Sequence, residues 1–356
     1  MNKNRNFWKN KKVLITGHTG FKGSWLSMLL HEFGAKLFGF SLKPQKNFLF
    51  EKAKLEKIFL KSTYGNILNL KKLKNNLKIT KPEIIFHLAA QPLVVESYKN
   101  PKETFDINII GTVNLLEAAR DIKSIKTIII ITTDKVYKIK KNNPHYRENH
   151  LIGASDPYGT SKSCVELISE CYKYSFFKNA DISIASARAW NVIGGGDYSD
   201  NRIVPDYLNA LNKKKKLVLR NPMNVRPWQY VLEPLYGYTL LAKQKYNSKK
   251  KTDFDSWNFA PNLNDSISVK KLIELLQKSK FNSRKVKVTE KKSQQKEKET
   301  DILRLNAAKA KKYLNWKIKF SLKNTVNTIL RWNEQTKKEP YLKVCKKSIK
   351  EFLEHK

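Results

Sequence analysis

Directly after the apolar run Ile128–Ile131 come Thr132, Thr133, Asp134, Lys135, Val136 and Tyr137. This puts hydroxyls, an acid and a potential base at the carboxyl end of a buried strand, where an acid–base pair could move protons on a bound molecule. A second pair, Tyr158 and Lys162, is spaced i, i+4 just after Pro157. On a helix those positions share a face. A phenol beside an ammonium loses its proton more readily and can act as a base toward an alcohol. The spacing Y-x-x-x-K also arises by chance, with both side chains on the surface.

A third cluster precedes these. Gly17, Gly20 and Gly23 lie between the apolar run 13–16 and a helical stretch, Trp25–Phe33. Glycines in a strand–turn–helix context let the backbone approach a pyrophosphate at a helix N-terminus, so the loop points to a dinucleotide. The alternative is a tight turn with no ligand. The spacing is G-x-x-G-x-x-G, not G-x-G-x-x-G. No acidic residue closes the second strand, where 39–43 read GFSLK. Ser41 could bond a ribose hydroxyl and Lys43 could accept a 2′-phosphate, so this position leaves NAD and NADP both open.

The elements that must position these groups alternate. Strands are expected at 13–16, 37–42, 83–90, 127–131 and 182–187, and helices at 25–33, 103–120 and from Pro157. Residues 43–62 read as irregular and lysine-rich; 246–256 and 289–300 read as exposed loops. The pattern implies an α/β fold: a Rossmann-type doubly wound parallel sheet with a smaller, mainly C-terminal substrate-binding lobe. The expected division is 1–188 for the dinucleotide domain and 189–335 for the lobe, with 228–262 partly returning to the first domain. A basic C-terminal tail covers 336–356.

The 356 residues are 40% hydrophobic, enough for a sizeable core, and no stretch approaches the roughly 20 apolar residues of a membrane span. The run Val13–Ile15 after the basic N-terminus is too short for a signal-peptide core, so a cytoplasmic protein is expected. Three cysteines, Cys164, Cys171 and Cys345, show no metal or redox spacing and read as reduced packing residues. Lys and Arg number 70 against 31 Asp and Glu, a net charge of +39. Such charge can bind nucleic acid, but the lysines are scattered and no nucleic-acid motif accompanies them. The reading is a basic surface without a nucleic-acid or membrane partner.

The ordered set of glycine loop, His87-Leu-Ala-Ala90, Asn108-x-x-Gly111-Thr112, Thr133 and Tyr158-x-x-x-Lys162 resembles the extended short-chain dehydrogenase/reductase superfamily. Within it, TTDKVY resembles the Thr-Asp-Glu or Thr-Asp-Lys motif of the sugar-nucleotide 4,6-dehydratases. GHTGFKGSWL (17–26), DPYGTSK (156–162), NVIGGGD (191–197), RNPMNVRPWQYVLEPL (220–235) and WNFAP (257–261) are similar to the branch that acts on CDP-glucose. The likeness runs from about Lys11 to Trp332.

This resemblance implies NAD-dependent conversion of CDP-glucose to CDP-4-keto-6-deoxyglucose for deoxysugar and surface-polysaccharide synthesis, such as lipopolysaccharide O-antigen. The alternatives are dTDP-glucose or GDP-mannose as substrate, an epimerase or reductase of the same fold, or, outside enzymes, a basic nucleic-acid-binding protein. Implied catalytic residues are Thr133, Asp134, Lys135, Tyr158 and Lys162. NAD would be held by Gly17, Thr19, Gly20, Phe21, Lys22, Gly23, Ser41, Asn66, Ile67, Leu88, Ala89, Ala90, Gln91, Asn108, Tyr158 and Lys162. The nucleotide sugar would be held by Gln91, Thr133, Asn191, Arg202, Arg220 and Arg226. No metal is implied. A homodimer or dimer of dimers through helices 103–120 and 157–177 is. Trp190, Asn66, Val95 and Tyr230 depart from the resembled pattern, which commonly has a small residue, an aspartate, an arginine and a histidine there.

Overall fold

A computed structural model of the chain describes residues 2–139, 145–249, 251, 253–262, 265–290 and 304–355. After helix α1 (Asn2–Trp8) the first βαβ unit is β1 (Lys12–Thr16), α2 (Phe21–Glu32) and β2 (Lys36–Ser41). Then come α3 (Leu49–Lys52), β3 (Phe59–Tyr64), α4 (Leu70–Thr80), β4 (Ile84–His87), α5 (Val94–Lys99), α6 (Pro101–Phe105), α7 (Gly111–Ala119), β5 (Thr127–Ile131), α8 (Pro157–Ser175) and β6 (Ser183–Ala189). The remainder is β7 (Val192–Ile193), α9 (Ile203–Lys213), β8 (Leu217–Leu219), β9 (Val225–Pro227), β10 (Gln229–Tyr230), α10 (Leu232–Asn247), β11 (Asp255–Phe259), β12 (Ser266–Ser268), α11 (Val269–Lys278), β13 (Val288–Glu290), α12 (Ala308–Leu314), α13 (Leu322–Gln335) and α14 (Tyr341–Glu354).

Seven strands form one sheet in the order β11-β6-β5-β4-β1-β2-β3, every neighbouring pair parallel. The chain runs outward from β1 to β3, then returns to lay β4 on the other side of β1. That reversal opens a crevice beyond the carboxyl ends of β1 and β4, the usual ligand position in such a sheet. Alternate residues feed two cores. Val13, Ile15, Ile84, Phe86, Ile129 and Ile131 pack on one face with α2 and α10. Leu14, Ile85, Ile128 and Ile130 pack on the other with α4, α7 and α8. A third core joins α9, β8, α11 and α13 in the C-terminal half. Among the described residues no helix is long and apolar enough to cross a membrane.

Several elements differ from expectation. The lysine-rich stretch 43–62 contains α3 and most of β3, which pairs with β2. β3 is an edge strand with no fully buried residue, so its alternation is too shallow to read. α4 went unread, although Leu70, Leu73 and Leu77 keep helical spacing and the Asn69 side chain caps Lys72 N–H at 2.9 Å. α2 begins at Phe21, four residues before the apolar run suggests, because its first turn borders the crevice. The expected helix 103–120 is broken by a π turn at Asp106–Ile110. Of the two expected loops, 246–256 lies between α10 and β11 and overlaps both. 289–290 complete β13, and 291–300 lie outside the described residues. The segment read as a basic tail carries α14, whose Val344, Cys345, Ile349, Phe352 and Leu353 are buried in the first core. Its lysines occupy the outer face of an amphipathic helix.

Candidate active site

The glycine loop occupies the crevice. Gly17 has φ +73°, and a Cβ there would lie 2.7 Å from Ala89 N. The first turn after β1 is thus pressed against the segment after β4 with no room for a side chain. A Cβ on Gly23 would fall 2.2 Å from the Gly17 carbonyl oxygen, so this glycine lets α2 start at once. Gly20 is the N-cap of α2, whose opening N–H groups and positive dipole end face out of the helix. This bare cradle at a helix N-terminus fits a dinucleotide pyrophosphate.

Around it, the Thr19 and Ser41 hydroxyls bond each other at 2.7 Å. Asn66 turns its carbonyl oxygen to its own turn, accepting from Leu68 N–H at 3.0 Å. Ile67 packs over Gly111, where a Cβ would meet it at 2.6 Å. Leu88 N–H donates to the Thr16 carbonyl at 3.1 Å and Ala89 N–H to the Thr16 hydroxyl at 3.2 Å. Asn108, buried within the π turn, accepts from Gln91 N–H at 2.8 Å and donates to the Ser161 hydroxyl at 2.9 Å. Gln91 folds its amide back, donating to Thr104 Oγ1 at 2.8 Å and to the Leu93 carbonyl at 3.1 Å. In this arrangement Asn108 and Gln91 shape the loop after β4, and their amides are committed to it.

The turn after β5 lies beside α8. Thr133 Oγ1 donates to Asp134 Oδ1 at 2.8 Å and is in hydrogen-bond contact with the buried Tyr158 hydroxyl. Burial raises the Asp134 carboxyl above its usual range, against the opposing pull of Lys135, Thr133 and the Trp190 indole. Burial likewise pushes the Tyr158 phenol up to about 12, with Thr133 opposing and the Asp134 charge adding. This overturns the expectation that Lys162 draws the phenol down. The Lys162 ammonium donates to the Ile131 carbonyl at 3.2 Å, and is itself lowered to about 8 by burial and then by Lys22. Lys135 is exposed.

Lys22, from the first turn of α2, reaches the same cluster. Burial and then Arg202 lower it to about 8, while Asp134 and Asp197 oppose. Arg202 pairs with the buried Asp197 at 3.1 Å and also stands within charge range of Tyr158. Of the expected substrate arginines, Arg202 therefore joins the catalytic cluster. Arg220 bonds Asn201 on the exposed surface of the lobe, and Arg226 lies on β9 with its guanidinium near the Val225 carbonyl. Asn191 is exposed at the junction of β6 and β7.

Three participants went unread: Asp197, Glu166 and the contact of Trp190 with Asp134; Lys22 was expected at the cofactor and also reaches Asp134 and Asp197. Trp190 stood out only as an odd residue in a resembled pattern. Its place beside Asp134 follows from the register of β5 on β6, in which Thr132 N–H bonds the Ala187 carbonyl at 3.0 Å.

The family model for GDP-mannose 4,6 dehydratase matches residues 14–329. A CDP-glucose 4,6-dehydratase of Salmonella typhimurium is 38% identical over 356 aligned residues, 98% of each chain. A UDP-glucose 4-epimerase of Mycoplasma genitalium is 27% identical over 333 residues, covering 89% of this chain and 94% of its own. Among solved structures, UDP-glucuronic acid 4-epimerase from Bacillus cereus, in complex with UDP-glucuronic acid and NAD, superposes with a TM-score of 0.75 at 23% identity. The match covers 91% of this chain and 99% of that one. Matching in sequence along nearly its whole length and in fold throughout the sheet, the chain belongs to the GDP-mannose 4,6 dehydratase family of nucleotide-sugar enzymes.

Proposed function

We propose that this enzyme is an NAD-dependent 4,6-dehydratase acting on CDP-glucose. The observation that carries the reading is the Thr133-Asp134-Lys135 turn, its carboxyl raised by burial and set beside Tyr158 and Lys162. An epimerase or reductase of this fold has no use for that acid–base pair. A raised carboxyl keeps its proton to higher pH than an ordinary one and can donate it. The 38% identity to a CDP-glucose 4,6-dehydratase favours the cytidine nucleotide over its alternatives.

The Gly17–Gly23 cradle would hold the pyrophosphate of NAD, with Thr19, Ser41 and Ile67 toward the adenosine end and Tyr158 and Lys162 toward the nicotinamide. Bound NAD⁺ supplies a hydride acceptor and, once reduced, the donor that returns the hydride. Thr133 holds the sugar C4 hydroxyl and Tyr158 takes its proton. The resulting 4-ketone acidifies the C5 hydrogen. Lys135 removes that proton, and Asp134 gives its own to the departing C6 hydroxyl, which leaves as water; C6 then receives the hydride back and Lys135 returns a proton to C5. The net change is CDP-glucose to CDP-4-keto-6-deoxyglucose and water. Tyr158 must come down from about 12 to act as base; with the Lys162 ammonium turned to the Ile131 carbonyl, the Thr133 hydroxyl and the Arg202 charge are the groups that oppose the rise.

Arg202 and Lys22 are the cations placed to neutralise a nucleotide diphosphate near the reacting groups. The division at residues 188–189, with β11 returning to the main sheet, serves the same assignment: cofactor on the first part, nucleotide on the second. Exposed Tyr98, Ile110, Leu167 and Tyr174 on α5, the π turn and α8 fit a two-fold helical interface between copies. A cytoplasmic location suits a nucleotide-sugar substrate.

The test is to incubate pure protein and NAD⁺ separately with CDP-glucose, dTDP-glucose, UDP-glucose and GDP-mannose, and to follow loss of one water by mass spectrometry. Water loss from CDP-glucose alone is expected. Loss from a different nucleotide sugar overturns the base assignment, and inversion at C4 without water loss overturns the reaction.

A further inference from the structure

Residues 133–135 form a short turn beyond the carboxyl end of β5, and such a turn does not hold side chains to within a fraction of an ångström by itself. Both of its flanks end on one buried ion pair. On the strand side the Thr132 hydroxyl donates to Glu166 Oε1 at 2.6 Å. On the other, the Tyr137 hydroxyl accepts from Arg188 NH1 at 2.6 Å and donates to Asn258 Oδ1 at 2.8 Å. Arg188 and Glu166 join the two, with Arg188 Nε donating to Oε1 at 2.8 Å and to Oε2 at 3.1 Å. Arg188 and Glu166 are each only 2% exposed, Thr132 4% and Tyr137 not at all.

Resting on the reading of Thr133, Asp134 and Lys135 as catalytic, we infer that Glu166 and Arg188 are positioning residues that grip this turn from both flanks and register it against Tyr158. Glu166 lies four residues after Lys162 and eight after Tyr158 on α8, so all three share a helix face. The helix that presents the phenol and the ammonium also carries the anchor for the turn. A wholly buried ion pair contributes little net stability compared with apolar packing. What this one contributes is the placement of two hydroxyl-bearing residues, Thr132 and Tyr137, five positions apart on either side of the turn. A misplacement of about 1 Å at such a site costs roughly 100-fold in rate.

The test uses full-length protein with Thr132→Val and Tyr137→Phe, each deleting one hydroxyl while the ion pair stays intact. On whichever nucleotide sugar the wild type turns over, kcat is expected to fall about 10- to 100-fold with KM within about twofold. Thr132→Ser is expected to restore it. Phe352→Ala, a more destabilising change in α14, controls for stability and leaves kcat per folded molecule unchanged. A second readout needs no turnover: amide hydrogen exchange across 133–136 speeds up in both variants while β1 and α2 exchange as in wild type. Unchanged exchange, or kcat losses that Phe352→Ala reproduces, overturns the grip. Faster exchange in a protein that dehydrates none of the four nucleotide sugars keeps the grip and overturns the activity instead.

Discussion

In the proposed mechanism Asp134 is the residue on which the chemistry turns, because a carboxyl raised by burial holds its proton to higher pH than an ordinary one and is the better acid there. The Trp190 indole opposes that rise. Trp190→Phe keeps the bulk and loses the N–H, so the Asp134 carboxyl rises further and stays protonated to higher pH. The alkaline limb of kcat against pH is expected to move upward, as measured by initial rates across pH; a downward move contradicts the contact. Lys135→Met is expected to lower turnover by about 10²- to 10⁴-fold, and to abolish exchange of the C5 hydrogen with solvent deuterium followed by NMR. At this scale the sequence was most legible where side chains act within a few residues of one another, as in 133–135 and 158–162. It was least legible where partners meet through sheet register, as Trp190 meets Asp134 and Asp197 meets Arg202. The expected lowering of Tyr158 failed for a related reason: spacing places Lys162 on the same helix face but does not reveal that its ammonium is turned to the Ile131 carbonyl.

Among the elements, β1, β2, β4, β5 and β6 were readable because fully buried parallel strands are short apolar runs closed by turn residues. β3 and α4 were not, since lysines crowd their exposed positions. The seam between β1 and α2 yields a sharp expectation. Gly17→Ala forces a side chain into positive φ and onto Ala89 N, costing about 1–3 kcal/mol of stability by urea titration and abolishing NAD binding by calorimetry. A wild-type NAD affinity in this variant would refute the seam as a cofactor cradle. α14 makes the opposite point: Phe352→Ala should cost about 3–5 kcal/mol while leaving cofactor affinity intact, because this residue is fully buried and its ring meets Tyr230, Tyr236 and Phe320, none of them in the glycine loop.

Over the whole molecule, the buried titratable groups set how stability depends on pH. Lys22 and Lys162 titrate at about 8 in the folded chain against 10.5 when solvated. The unfolded chain therefore holds more protons between those values, and stability rises with pH from about 8. Tyr137 and Tyr158 lie at about 12 against 10.0; above pH 10 the unfolded chain loses protons that the folded one keeps, and stability falls. The urea midpoint of the ligand-free protein should thus climb from about pH 8 and turn over near pH 10, and Lys162→Met should flatten the rise. The sheet order carries a last consequence, for the newborn chain on the ribosome. The glycine loop, Tyr158 and Lys162 are complete by residue 162, yet Tyr137 is held by Asn258 on β11, the strand that closes the sheet from nearly a hundred residues later. A partly synthesised chain can assemble its cofactor cradle while its proton-transfer turn remains slack, so oxidation and elimination come under control only once the far edge strand has been translated and docked.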